Sequence, residues 1–144
     1  MDKKYQLTFY KAEYAQYNRI LEDDDIRKQV STFLIKYISL EAFYKKMLIT
    51  MKEKNGKVLS KKEKQHLFVS VADVNNVLEY FGISCDKQLI ERIFGSNDKN
   101  YMECSVKKLR DRLVHNVNDN VLRVIIERYD KINEDLDLFA GILN

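Results

Sequence analysis

The chain is 144 residues long, 45% hydrophobic and 33% charged. That supports one domain, residues 1–144, with a real core, and excludes disorder and a membrane class. A net charge of +3 permits contact with nucleic acid without demanding it.

With no Pro and four Gly, the chain lacks the turn residues that a β-rich fold needs at short intervals, so long helices are expected. Tyr10, Tyr14, Tyr17 and Leu21 recur at helical spacing and predict a first helix. Asp23, Asp24 and Asp25 interrupt it and supply a cap for the next. In that second helix Ile26, Val30, Phe33, Tyr37, Leu40, Tyr44, Met47 and Met51 step by four and three until Asn55-Gly56. Ser60, with Glu63 three residues on, reads as the capping box of a third helix. Leu67, Val71, Val74, Leu78 and Phe81 would form its core face, and Gly82 its end.

A short fourth helix is expected from Asp86 to Phe94, stopped by Gly95, with a polar loop over Ser96 to Glu103. Ser105 caps the following helix. Asn120 is expected to cap the last, where Leu122, Ile125, Tyr129, Ile132, Leu136, Phe139 and Leu143 alternate three and four. Such seams pack at shallow angles, so the expected architecture is an all-α, up-and-down bundle of five or six helices. The last helix also admits a coiled-coil dimer, but Val121, Val124, Ile126 and Leu138 on its flanks favour bundle core.

Chemistry concentrates in Arg110-Asp111-Arg112-Leu113-Val114-His115. A cation for phosphate charge and an imidazole that moves protons near neutrality are what a metal-free ribonuclease requires. The chain carries no Gly-rich phosphate loop, Cys/His metal box or nucleophile elbow, so neither cofactor nor metal is expected. On a wheel of about 100° per residue, Val106, Leu109, Leu113, Val114 and Val117 share an arc of about 140° that also contains Arg110. A cation there is costly unless paired or lining a polar cleft. Asp111 and His115, four apart, share a face, so Asp111 can hold the imidazole. Arg110 and His115 lie about 140° apart on an ideal helix. A helix ended at His115, or a second copy of the motif, brings them to one phosphate; Asn116 to Asn120 favours an early end. The plain alternative is an Arg110 that snorkels and a solvated His115 at a helix end.

At these residues the chain resembles the HEPN superfamily (higher eukaryotes and prokaryotes nucleotide-binding). Its signature is Arg, often followed by a polar residue, then His after four to six intervening residues. The resemblance implies a metal-independent endoribonuclease acting on RNA, typically a homodimer whose motifs meet in a cleft. Many relatives are toxins of toxin–antitoxin pairs or antiviral-defence factors, so an antitoxin protein is a possible partner. It further implies His115 as general acid/base, Arg110 as stabiliser of phosphate and transition state, and Asp111 as an orienting or polarising group. Members paired with a nucleotidyltransferase often carry Tyr two residues after the His; Val117 stands here. Some members are non-catalytic, and a helical binding or regulatory module is the alternative function.

Glu41, on the flank of the second helix, is expected to pair with Arg110 across the bundle, or else to sit partly exposed at the seam's edge. Asn116, beside His115, is a possible supporting residue. His66 lacks ligand partners at convincing spacing and reads as a surface histidine, as Lys61-Lys62-Glu63-Lys64 reads as a solvated helix end. Tyr101 has the chemistry to stack on a base. Cys85 and Cys104 fit no disulfide or metal framework, no apolar signal region follows Met1, and no membrane-spanning run is present. The expectation is a reduced, cytoplasmic protein with no membrane partner.

Overall fold

The computed structural model describes residues 2–97, 100–115 and 117–143, without the side chains of Gln16, Arg19 and Ile20. Among them there are eight helices and no strand. These are α1 (Lys3–Glu22), α2 (Asp24–Lys54), α3 (Lys61–Gln65), α4 (Val71–Tyr80), α5 (Lys87–Phe94), α6 (Val106–His115), α7 (Asp119–Glu127) and α8 (Tyr129–Leu143).

α2 is the central element, packed by α1, α4, α6, α7 and α8. Asp23 starts it by accepting from the amides of Asp25 and Ile26 at 3.0 and 3.2 Å. Asp24 and Asp25 in its first turn, and Lys52 and Lys54 in its last, oppose the helix dipole at both ends. It stops at Asn55, and Gly56 takes a φ of +88° that a side chain would resist. Phe33, Tyr37, Leu40, Tyr44 and Leu48 form its buried stripe. Phe94 of α5 packs among Tyr37, Tyr44 and Phe139, with ring centroids 6.4, 5.9 and 5.3 Å apart, joining α2, α5 and α8 in one core.

The expected third helix is two. Val69 is buried in the core, so the chain leaves the helix after Gln65 to deliver it. Ser70 then caps α4 by accepting from the amide of Asp73 at 3.1 Å. The last helix is also two. Asn118, not Asn120, caps α7 through the amide of Val121 at 3.0 Å. The break falls at Arg128, whose Nη1 donates to the Tyr101 carbonyl at 2.7 Å. Its flanks are nearly continuous, Arg128 N bonding Val124 O and Ile132 N bonding Arg128 O at 2.9 Å each, so the three-and-four seam carries across. That seam is buried within the bundle by Leu122, Ile125, Ile132, Leu136 and Phe139.

α1 forms, but its expected seam does not bury. Tyr10, Tyr14 and Leu21 are exposed, and Tyr17 instead donates its hydroxyl to the Val117 carbonyl at 2.9 Å. One half-buried ion pair escapes sequence reading. Arg92 of α5 grips Asp135 of α8 with Nε and Nη2 at 3.0 and 3.1 Å, and Lys131 lies 3.5 Å from the same carboxylate.

Candidate active site

Ser105 places α6. Its buried hydroxyl donates to the Gly95 carbonyl at 2.7 Å and accepts from the Lys108 amide at 3.2 Å, so it caps the helix and fixes it to the end of α5. Val106 and Leu109 anchor the first turns in the core, and α6 ends at His115. The apolar arc runs out before that end: Val114 is 53% exposed and Val117 is exposed. Cofacial spacing alone therefore overstates what this helix buries.

Arg110 is paired. Its Nη2 donates to Glu41 Oε2 at 2.9 Å and lies 3.4 Å from Asp111 Oδ1, while the guanidinium carbon sits 5.3 Å from the centre of the Tyr37 ring. The second Glu41 oxygen meets Lys45 Nζ at 3.1 Å. One carboxylate thus bridges two cations, and Tyr37, Glu41 and Lys45, each four residues on, form a ladder on α2 facing α6.

Burial alone would raise the Glu41 pKa, but the neighbouring Tyr37 hydroxyl, Lys45 and Arg110 outweigh it and hold the carboxyl below its ordinary value. Burial and the adjacent Glu41 charge push the Tyr37 phenol far upward, so it stays protonated. Burial opposes the charge on Arg110, yet Glu41 and Asp111 raise its pKa overall. Arg110 Nε and the Tyr37 hydroxyl are both buried and outside hydrogen-bond geometry with any partner among the described residues.

The pair forms one wall of a groove of about 510 Å³ that also takes in Lys107, Asp111 and His115 of α6, together with Gln65 to Val69. Lys107 Nζ donates to the Val69 carbonyl at 2.6 Å, fastening the connection between α3 and α4 against α6. Arg110 and His115 therefore line one groove despite their angular separation. The expected hydrogen bond from the His115 imidazole to Asp111 is not formed; the Asp111 carboxylate turns to Arg110. Asn116 lies outside the described residues. Tyr101 is not part of the groove; its ring lies 5.9 Å from the Arg112 guanidinium carbon.

Four residues in or beside the groove carry no site role in the sequence reading. Lys45 and Tyr37 were legible as the i±4 neighbours of Glu41. Lys107 carries no sequence signal for its contact with Val69. His66, which reads as a surface histidine, is exposed yet lines the same groove as His115.

Among the described residues no group of three or more His, Cys, Asp or Glu side chains is arranged to hold a metal ion, and no helix is long and apolar enough to cross a membrane. Among the described residues Cys85 and Cys104 form no disulfide. Comparison of the chain with protein-family models, curated proteins and solved structures gives no match.

Proposed function

We propose that this chain is a metal-independent endoribonuclease of HEPN type, acting in toxin–antitoxin or antiviral defence. The observation that carries the reading is the shared groove of Arg110 and His115, flanked by Lys45 and Lys107. RNA supplies its own nucleophile, so positioned proton-transfer groups and fixed cations can drive cleavage without a metal. In this mechanism the 2′-oxygen attacks the adjacent phosphorus as His115 takes its proton. Arg110 steadies the charge on the phosphoryl oxygens, and the 5′-oxygen leaves, yielding a 2′,3′-cyclic phosphate. Glu41 and Tyr37 are positioning residues for the guanidinium.

The exposure of Val114 and Val117 beside His115 supports a homodimer closed over this face, which would bring two motifs together. A cytoplasmic setting and an antitoxin partner belong to the same reading.

One observation favours the alternative, a non-catalytic binding module. Arg110 Nη2 already serves two carboxylates, so its charge is largely answered within the fold. Incubation of purified protein with mixed RNAs in EDTA, with analysis of product ends, separates the two. Cyclic phosphate ends made by wild type and lost in His115→Ala support the nuclease. Equal cutting by both, or none by either, leaves the binding module.

A further inference from the structure

In-line cleavage of RNA presents a problem that His115 alone does not solve. The proton leaves the attacking 2′-oxygen on one side of phosphorus, and the departing 5′-oxygen needs a proton on the other. The groove holds a second imidazole on a separate element. His66 ends α3, with its backbone amide bonded to the carbonyls of Glu63 and Lys62. Three residues on, Lys107 clamps Val69 to α6 at 2.6 Å. The segment bearing His66 is thus fastened to the helix that bears His115.

We infer that His66 is the second proton-transfer group of this groove, an inference that rests on the ribonuclease reading above. One imidazole accepts the proton of the 2′-hydroxyl as O2′ bonds to phosphorus. The other, protonated, gives its proton to O5′ as the P–O5′ bond breaks. The products are a 2′,3′-cyclic phosphate and a free 5′-hydroxyl, and hydrolysis of the cycle by the reverse proton transfers restores both imidazoles. No co-reactant beyond water is required.

The charged groups around His66 are mixed in sign. α2 supplies Glu41, Lys45 and Lys52, and α3 supplies Lys62 and Glu63. Asp73 stands on α4, and Lys107, Arg110, Asp111 and His115 on α6. Carboxylate, ammonium and guanidinium groups as classes titrate away from neutrality, so a pH profile of the variants distinguishes them from an imidazole.

The test compares wild type, His66→Asn and His115→Asn on an RNA oligonucleotide that wild type cuts. The same oligonucleotide with sulfur in place of the bridging O5′ is tested beside it. Each variant is expected to lose roughly 10²–10⁴-fold in kcat/KM on ordinary RNA, and each to lose a different limb of the bell-shaped profile. A thiolate departs without a proton, so the variant lacking the acid recovers on the sulfur substrate and the other does not. Wild-type rates in His66→Asn, with His115→Asn inactive, overturn this inference and leave the ribonuclease standing. A loss in His66→Asn with both limbs intact, and no rescue in either variant, marks a structural role and also overturns it. RNA left uncut by wild type overturns the proposed function and this inference together. His66→Gln, whose amide sits one methylene further out than that of His66→Asn, guards against a folding artefact, and circular dichroism checks all variants.

Discussion

Glu41 and Arg110, 69 residues apart in sequence, meet at 2.9 Å where α2 crosses α6, with side chains 14% and 22% exposed. A pair this sheltered is costly to halve, because the remaining charge keeps its burial and loses its partner. Glu41→Ala is expected to destabilise the fold by about 1–3 kcal/mol, discounted from a fully buried pair for the remaining solvent access. Urea denaturation of Glu41→Ala, Arg110→Ala and the double variant should show the double costing less than the sum of the singles. Additive losses would deny the coupling.

The same pair predicts a dependence on acid. The folded Glu41 pKa lies below its ordinary value of 4.5. Its contribution is therefore complete above about that pH and is lost as pH falls through the folded value. Denaturation midpoints measured from pH 6 downward should fall less steeply in Glu41→Gln than in wild type. Parallel curves would mean that the carboxylate titrates alike in both states.

Catalysis should separate from stability at α6. His115 is exposed at the end of its helix, so His115→Ala is expected to keep the wild-type melting temperature while RNA cleavage falls roughly 10²–10⁴-fold. Arg110→Lys should rescue Arg110→Ala poorly, since an ammonium cannot span Glu41 and a phosphate as a planar fork does. Asp111→Asn should be the mildest, its carboxylate standing 3.4 Å from a guanidinium that Glu41 already holds. Cleavage assays in EDTA beside thermal melts check all three.

Far from the groove, Arg92→Met tests the clamp between α5 and α8. Asp135 is nearly fully buried, and the substitution would leave it only the more distant Lys131. A loss of about 2–4 kcal/mol in chemical denaturation is expected, and Asp135→Asn in the same background should recover part of it by removing the stranded charge. A neutral Arg92→Met would contradict the pairing.

The long apolar periods were legible in sequence. Phe33, Tyr37, Leu40 and Tyr44, and Ile125, Ile132, Leu136 and Phe139, bury as their spacing indicates, while Leu48 buries more deeply than the seam's Met47, and the Ser60–Glu63 capping box forms. The breaks were harder to read, because tertiary demands decide them. The seam from Leu67 to Phe81 keeps its helical period across the break, whereas the structure buries Val69 at the turn and caps a new helix with Ser70. Arg128 leaves the helix to reach the Tyr101 carbonyl, a contact across 27 residues with no local signature. In the groove, Arg110 on an apolar arc called for a partner and Glu41 supplied it. His66 gave no hint, since its place depends on where Lys107 fastens a loop 38 residues away.

α1 has a consequence for the groove through its weak attachment. It leans on α2 and keeps Tyr5, Leu7, Phe9, Tyr10 and Tyr14 exposed. Little apolar surface therefore opposes its detachment, and a helix without tertiary support is marginal in water. Opening of α1 frees the Val117 carbonyl from Tyr17, two residues beyond His115. Amide exchange at Val117 and Asn118 should thus follow the breathing of the N-terminal helix rather than global unfolding, and Tyr17→Phe should accelerate it without moving the global transition.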